Sequence, residues 1–362
     1  VVGGPTDGTL APVEPEIVFL TDGGQPGAAL LERLLAFIDA ARTSLDIAVY
    51  DAHLEGGDVD RLVGALDRAE ARGVRVRAIY NDDHPRHAAV PPPTGPSVLA
   101  RLASAVPSTA IPGVPDLMHD KYMIRDADTV WTGSTNWTDD AWSRMENVVV
   151  TIPSADLAAA YTRDFEQLWQ KKHVIGTGTF DDEPASLSYG GAPLTVRALF
   201  SPGRGRTLGH LVARRIGQAS RRIRICSPVI TSGPILSTLA EVLDDHRCDT
   251  TATVDGPQMR EALEQWSADG RASWKVPLVE RVRASGRVAE KPSRPYQAGP
   301  PHNYMHAKVV VCDDITLLGS YNLSHSGEMN AENVVEIVNA PFADACATFC
   351  EQVHSRYQNA RS

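Results

Sequence analysis

Two short stretches hold residues that can do chemistry together. "MHDKYMIRD" (118–126) sets His119 and Lys121 two positions apart and ends on Asp126; "MHAKVVVCD" (305–313) repeats the arrangement with His306, Lys308 and Asp313. On a strand, side chains alternate between faces, so each histidine shares a face with its lysine and the pair can meet one substrate. The aspartate points the other way and reads as a structural or orienting partner. A histidine serving only the core would not explain an adjacent cation on the same face, because burying an unpaired ammonium is costly. Nor would it explain why the pair recurs.

Each pair has the same company downstream. "WTGSTNWT" carries Gly133, Ser134 and Asn136, and "LLGSYNLS" carries Gly319, Ser320 and Asn322, each just past an apolar strand. There the Ser and Asn side chains can donate hydrogen bonds to an anion, although both types are also common turn formers. Glu146 in "MENVVV" and Glu332 in "AENVVEI" each open a further strand. A carboxylate at that point can accept the Nδ1 proton of a histidine and raise the basicity of the other ring nitrogen; a salt bridge at a strand end is the alternative.

Strands alternating with amphipathic helices position these residues. "EIVFL", "SLDIAVY" and "VRVRAIYN" read as strands, with "ALLERLLAFIDAA" and "DVDRLVGALDRAEARG" as helices between them, an order that implies parallel strands with helical crossovers. A Pro-rich stretch from His84 to Asp116 reads as a long surface loop holding one short helix. "KYMIRD", "TVWTG" and "NVVVTI" follow as strands, and "ADLAAAYTRDFEQLWQKKH" as a helix. "DDEPASLSYGGAPLT" is the expected linker. The pattern then repeats from "VRALFSP" onward, with a loop-like "ASGRVAEKPSRPYQAGPPHN" ahead of the second histidine and "PFADACATFCEQVHSRYQ" as the last helix. The two histidines lie 187 residues apart, the two serines 186 and the two glutamates 186. Shifts this uniform, and this long, mean two related domains and no solenoid array. The expected division is 16–181, a linker 182–195, and 196–362.

Composition bounds the reading. With 43% hydrophobic and 22% charged residues over 362 positions, the chain can bury a large core and is neither disordered nor collagen-like. No apolar run is long enough to cross a bilayer. The first residues lack the basic start and apolar core of a signal peptide, and there is no initiator Met, so the compartment is left open. A net charge of -10 argues against a surface that grips nucleic acid throughout. Arg204, Arg206, Arg214, Arg215, Arg221, Arg222 and Arg224 read as solvated helix residues more than as a basic patch. The five cysteines have no zinc-site spacing; Cys226 and Cys312 read as buried strand residues, and Cys346 and Cys350 as packed on one helix face.

The full set resembles the phospholipase D superfamily, whose signature is HxKxxxxD followed by GSxN. Both copies are intact, and the resemblance extends over nearly the whole chain. It implies an α/β fold of two pseudo-symmetric α/β/α domains with mixed sheets, facing each other across one active site in the cleft. It further implies that one histidine attacks phosphorus while the other protonates the leaving oxygen, through a phosphohistidine. In the family the first-copy histidine usually attacks, so the resemblance implies His119 for the first role and His306 for the second; the internal symmetry leaves the reverse order open. The implied catalytic set is His119, His306, Lys121, Lys308, Asp126, Asp313, Glu146 and Glu332. Lys121 and Lys308, helped by Ser134, Asn136, Ser320 and Asn322, hold the phosphate oxygens, the part a metal plays in other phosphodiesterases. No metal or other cofactor is implied, and a single chain suffices for one site.

Fold and motif do not choose the diester. "MHDKYMIRDADTVWTGSTNWT" with "ENVVV" resembles the nuclease and cardiolipin-hydrolase branch in particular. Phospholipid is the first expectation, single-stranded nucleic acid the second, and a silent phosphate-binding module the third. Trp131, Trp137 and Trp142 around the first signature read as core residues, with a cleft lining as the alternative.

Overall fold

The structure, a computed structural model, describes residues 14–82, 98–295 and 301–358. The first lobe runs β1 (Glu16–Leu20), α1 (Gly27–Asp39), β2 (Ser44–Val49), β3 (Ala52–His53), α2 (Asp58–Ala71), β4 (Arg75–Asp82), α3 (Val98–Ala105), β5 (Ser108–Pro112), β6 (Lys121–Arg125), β7 (Thr129–Gly133), β8 (Trp137–Thr138), α4 (Asp139–Ser143), β9 (Asn147–Pro153) and α5 (Ala155–Lys171). The second runs β10 (Ala185–Tyr189), β11 (Ala192–Ser201), α6 (Gly205–Gln218), β12 (Arg222–Cys226), α7 (Gly233–Asp244), β13 (Asp249–Asp255), α8 (Gly256–Asp269), α9 (Val276–Ala284), β14 (Val288–Lys291), β15 (Val309–Cys312), β16 (Ile315–Gly319), α10 (His325–Met329), β17 (Glu332–Val338) and α11 (Ala340–Gln358).

Local sequence accounts for the helices. In α1, Leu30, Leu31, Leu34, Leu35 and Ile38 form one buried stripe. In α5, the Ser154 hydroxyl caps the first turn by accepting from Leu157 N, and Leu157, Tyr161, Phe165 and Leu168 turn inward. The short α4 and α10 use the same device in both lobes: Thr138 accepts from Ala141 N, and Ser324 from Gly327 N.

The sheets have matching orders. The first is β1-β9-β7-β6-β2-β4-β5 and the second β10-β11-β17-β16-β15-β12-β13-β14, the same sequence of equivalents with β10 added at one edge. Both are mixed: β2, β4 and β5 run parallel, as do β12, β13 and β14, and the signature hairpins are antiparallel. Helices α5 and α11 fill a core common to both sheets. Phe19 of β1 stacks on Phe349 of α11 at 4.7 Å, and Tyr161 of α5 meets Phe200 of β11 edge-on at 5.1 Å. Helices α1 and α2 cover the outer face of the first sheet, and α6 and α7 that of the second. The lobes therefore share a hydrophobic centre.

Three expected connections differ. The expected linker 182–195 contains β10 and the start of β11, which pair as an antiparallel hairpin about Gly190 and Gly191. Its Gly pair is the turn, and Leu187 and Leu194 supply the inward residues. The loop expected from His84 to Asp116 contains β5 as well as α3, while 83–97 lies outside the described residues. The loop ahead of His306 contains β14, and 296–300 lies outside the described residues. No helix among the described residues is long and apolar enough to cross a membrane.

Candidate active site

The two signature hairpins bring their histidines to the seam between lobes. His119 N donates to Ala331 O at 2.9 Å, and His306 N to Glu146 O at 3.2 Å, so each histidine segment is bridged to the strand start of the opposite lobe. Lys121 and Lys308 each turn back to donate to the carbonyl of their own histidine, at 2.5 and 2.6 Å. Burial, then the charges of Lys121 and Lys308, hold the His119 imidazole well below its ordinary value; burial, then Lys308, Lys121 and His119, do the same to His306. Burial pushes Lys121 down to about 8, and burial and Lys121 push Lys308 well down. All four groups thus feel one another in one largely buried cluster, and an anion entering it would relieve their repulsion. Tyr50, at the end of β2, lines the cluster. Its ring meets His119 edge-on at 4.6 Å and lies 4.7 Å beneath Lys121 Nζ.

The Nδ1 atoms are held across the seam, and unequally. His119 Nδ1 lies 2.8 Å from Glu332 Oε2 of the second lobe. His306 Nδ1 lies 3.1 Å from Asn147 Oδ1 of the first lobe, and not against Glu146. The cause is a shift in register. Ser134 N donates to Val148 O, whereas Ser320 N donates to Asn333 O; His119 N reaches Ala331 O, whereas His306 N reaches Glu146 O. In space, therefore, Asn147 stands where Glu332 stands and Glu146 where Ala331 stands, although the sequence aligns the two glutamates. Glu146, turned to the other side of its strand, is fully buried against Lys291 Nζ at 2.7 Å and accepts from the Tyr357 hydroxyl. Of the two readings of Glu146, the pairing with a histidine does not form and the salt bridge at a strand end does.

The aspartates of the signatures stand apart from the histidines. Asp126 sits at the β6–β7 turn and accepts from the backbone N–H groups of Arg42, Thr43 and Ser44; Asp313 does the same for Ser220, Arg221 and Arg222. These bonds hold both carboxyls below the usual range against the opposing effect of burial. They tie the hairpin turn to the start of the central strand and touch no imidazole.

The serines are also occupied. Ser134 Oγ donates to Asn147 Oδ1 at 2.7 Å and accepts from Val148 N. Ser320 Oγ accepts from Asn333 N and its hydroxyl supports Glu332. Both are fully buried and position the histidine partners, so the expected direct contact of serine with phosphate has no free hydroxyl to make it. The asparagines differ: the side-chain oxygens Asn136 Oδ1 and Asn322 Oδ1 are buried with no hydrogen-bond partner, a matched pair of unused acceptors. Glycine is required ahead of each serine. A Cβ on Gly133 would lie 2.1 Å from Val148 O, and one on Gly319 2.2 Å from Asn333 O. Trp131, Trp137 and Trp142 are core residues.

Several residues at the site carried no sequence signal. Asp120, where the second copy has Ala307, is fully buried and accepts from Asn333 Nδ2 at 2.7 Å; burial raises it to about 7. Asn333 Oδ1 in turn accepts from Thr132 and Tyr161. This second network occupies Asn333 and leaves Glu332 to His119. Among the described residues no group of three or more His, Cys, Asp or Glu side chains is placed to hold a metal ion.

Residues 34–169 and 212–353 each match the family described as cardiolipin synthase, PLD-like domain. The chain belongs to the phospholipase D superfamily. Within this superfamily it is 33% identical over 140 residues to the mitochondrial cardiolipin hydrolase of Xenopus tropicalis, covering 38% of this chain and 60% of that protein. It is likewise 33% identical over 129 residues to a phospholipase D of Rickettsia bellii, covering 35% of this chain and 58% of that one. These matches thus span about three fifths of each relative's length. The crystal structure of phosphatidylserine synthase from Haemophilus influenzae superimposes over 94% of this chain and 86% of that one, with a TM-score of 0.66 at 15% identity, a likeness of fold. The phospholipase D fold, present twice, is therefore the frame that carries the four basic groups.

Proposed function

We propose that the protein is a phospholipase D-type phosphodiesterase acting on phospholipid through a phosphohistidine. The observation that carries this reading is the gathering of His119, Lys121, His306 and Lys308 in one buried cluster, with each Nδ1 held by an acceptor from the opposite lobe. With Nδ1–H donated to Glu332, the Nε2 lone pair of His119 is free to attack phosphorus. As the P–N bond forms, the P–O bond to the leaving group breaks, and that oxygen takes a proton from His306 Nε2. Water or an alcohol then gives its proton to His306 and attacks phosphorus, and the P–N electrons return to His119. Lys121 and Lys308, with the side-chain N–H groups of Asn136 and Asn322, would donate to the non-bridging oxygens.

Phospholipid is favoured over nucleic acid on charge. Of the arginines that might have formed a basic patch, Arg204, Arg215, Arg221, Arg222 and Arg224 are each paired with a carboxylate. Asp51, close enough for its charge to act on His119 and Lys121, is poorly suited to a continuous polyanion. The relatives named cardiolipin hydrolase and phospholipase D agree.

The test compares vesicles of cardiolipin or phosphatidylcholine with single-stranded DNA, in excess chelator, for wild type and His119→Ala. Release of phosphatidic acid, and of a phosphatidyl alcohol when ethanol is added, is expected from wild type alone. Cleavage of DNA with no turnover of either lipid would overturn the substrate reading.

A further inference from the structure

We propose that Asn147 sets the direction of the reaction: by giving His306 an amide where the other lobe gives His119 a carboxylate, it reserves attack for His119 and proton delivery for His306. This rests on the phosphodiesterase reading above. The two imidazoles occupy equivalent places in a duplicated fold, each with a same-face lysine and a bridge to the opposite lobe. What differs is the atom behind Nδ1.

The Asn147 side chain is fixed. It is fully buried, its Oδ1 accepts from Ser134 Oγ at 2.7 Å, and its Nδ2 donates to Ala141 O at 3.0 Å. The oxygen is therefore the atom facing His306, Nδ1 carries the proton, and Nε2 is directed to chemistry. The register that presents Asn147 is held from behind. Glu146 is pinned by Lys291 and Tyr357, and Lys291 Nζ also lies 3.3 Å from Asp22 Oδ2. A slip of one residue would turn Asn147 away and offer Glu146 in its place, and this buried ion pair would have to break first. In the second lobe the equivalent of Glu146 is Ala331, which makes no such demand.

The chemical consequence is unequal. When Nε2 bonds to phosphorus the imidazole becomes a cation, and a carboxylate against Nδ1–H stabilises it; an amide does so far less. The P–N bond therefore forms on His119. A protonated His306, with a neutral acceptor and with the ammonium groups of Lys308 and Lys121 beside it, gives up its proton readily to the departing oxygen.

A symmetric substrate isolates the protein's own bias. With bis(p-nitrophenyl) phosphate, quenched during turnover and mapped by peptide mass spectrometry, wild type is expected to carry phosphate on His119, still esterified to one p-nitrophenol, the other having left. In Asn147→Asp, phosphate is expected on His306 as well, and NMR of 13C-labelled histidine should show His306 titrating about one pH unit higher or more. Because that variant loses the bond to Ala141, Glu332→Gln supplies a second arm: labelling of His119 falls about tenfold or more, with the His306 titration unmoved. Wild-type label on His306 would overturn the proposal. So would an unchanged label and titration in Asn147→Asp, or unchanged His119 labelling in Glu332→Gln. Turnover by wild type with no phosphohistidine would instead remove the reading on which the proposal stands.

Discussion

Glu332 of the second lobe places Oε2 2.8 Å from Nδ1 of His119 in the first, so the histidine proposed to attack in one half is oriented by the other. Burial raises the Glu332 carboxyl to about 8 against the opposing pull of Lys121. Below that value the carboxyl keeps its proton and donates it to Nδ1, which leaves Nε2 protonated and unable to attack. Lys121, pushed down to about 8, loses its charge above it. The profile of kcat/KM is expected to be a narrow bell with its maximum near pH 8, its limbs belonging to the coupled cluster and not to single residues. Initial rates on a chromogenic diester check this; a flat profile from about pH 6 to 9 would contradict it.

The two histidines should fail differently. His119→Ala is expected to lose about 10³-fold or more in kcat on every diester, because no covalent intermediate can form. His306→Ala should slow release of the leaving group by a similar factor on phospholipid but much less in the first-turnover burst of p-nitrophenol from a p-nitrophenyl diester, whose leaving group needs no proton; breakdown of the phosphohistidine should slow on both. An equal loss in the burst and in phospholipid cleavage would argue that His306 does not protonate the leaving oxygen.

Asp126 is expected to matter for stability and little for chemistry. Asp126→Ala leaves three backbone N–H groups without their acceptor, at a cost of about 1–3 kcal/mol, and Ala is also disfavoured at the residue's φ of 54°. Asp126→Asn keeps an acceptor, tolerates that φ, and should cost less. Since the folded carboxyl lies below its model-peptide value of 3.8, its stabilisation is present above that pH and is lost as pH falls through the folded value. Denaturant midpoints at pH 7 and near pH 3 check the sign, with kcat close to wild type in both variants.

Lys291 and Glu146 should behave as a unit. Lys291→Met strands a buried carboxylate and is expected to cost about 3–5 kcal/mol, whereas Lys291→Met with Glu146→Gln removes both charges and should recover most of it. Thermal unfolding of the two variants checks this; equal losses would contradict the pairing.

Much of this was legible in the sequence. The signatures, the duplication and the α/β alternation depend on short-range spacing, and Asp126 and Asp313, at an odd offset from their lysines, were readable as structural. Glu146 was not. The sequence aligns it with Glu332, but an extra residue after α4 shifts β9 by one, and with a period of two a shift of one exchanges the faces. Asn147, Asp120, Asn333 and Lys291 act through partners more than 100 residues away, which no local pattern encodes. The 182–195 hairpin was hidden by turn-forming residues that serve its tip.

The stereochemical course at phosphorus tests the central claim most directly. With a diester made chiral by oxygen isotopes or sulfur, attack by His119 and then by water inverts the centre twice, so overall retention is predicted. Overall inversion would mean that water attacks the diester itself, and would contradict a phosphohistidine formed between the two lobes.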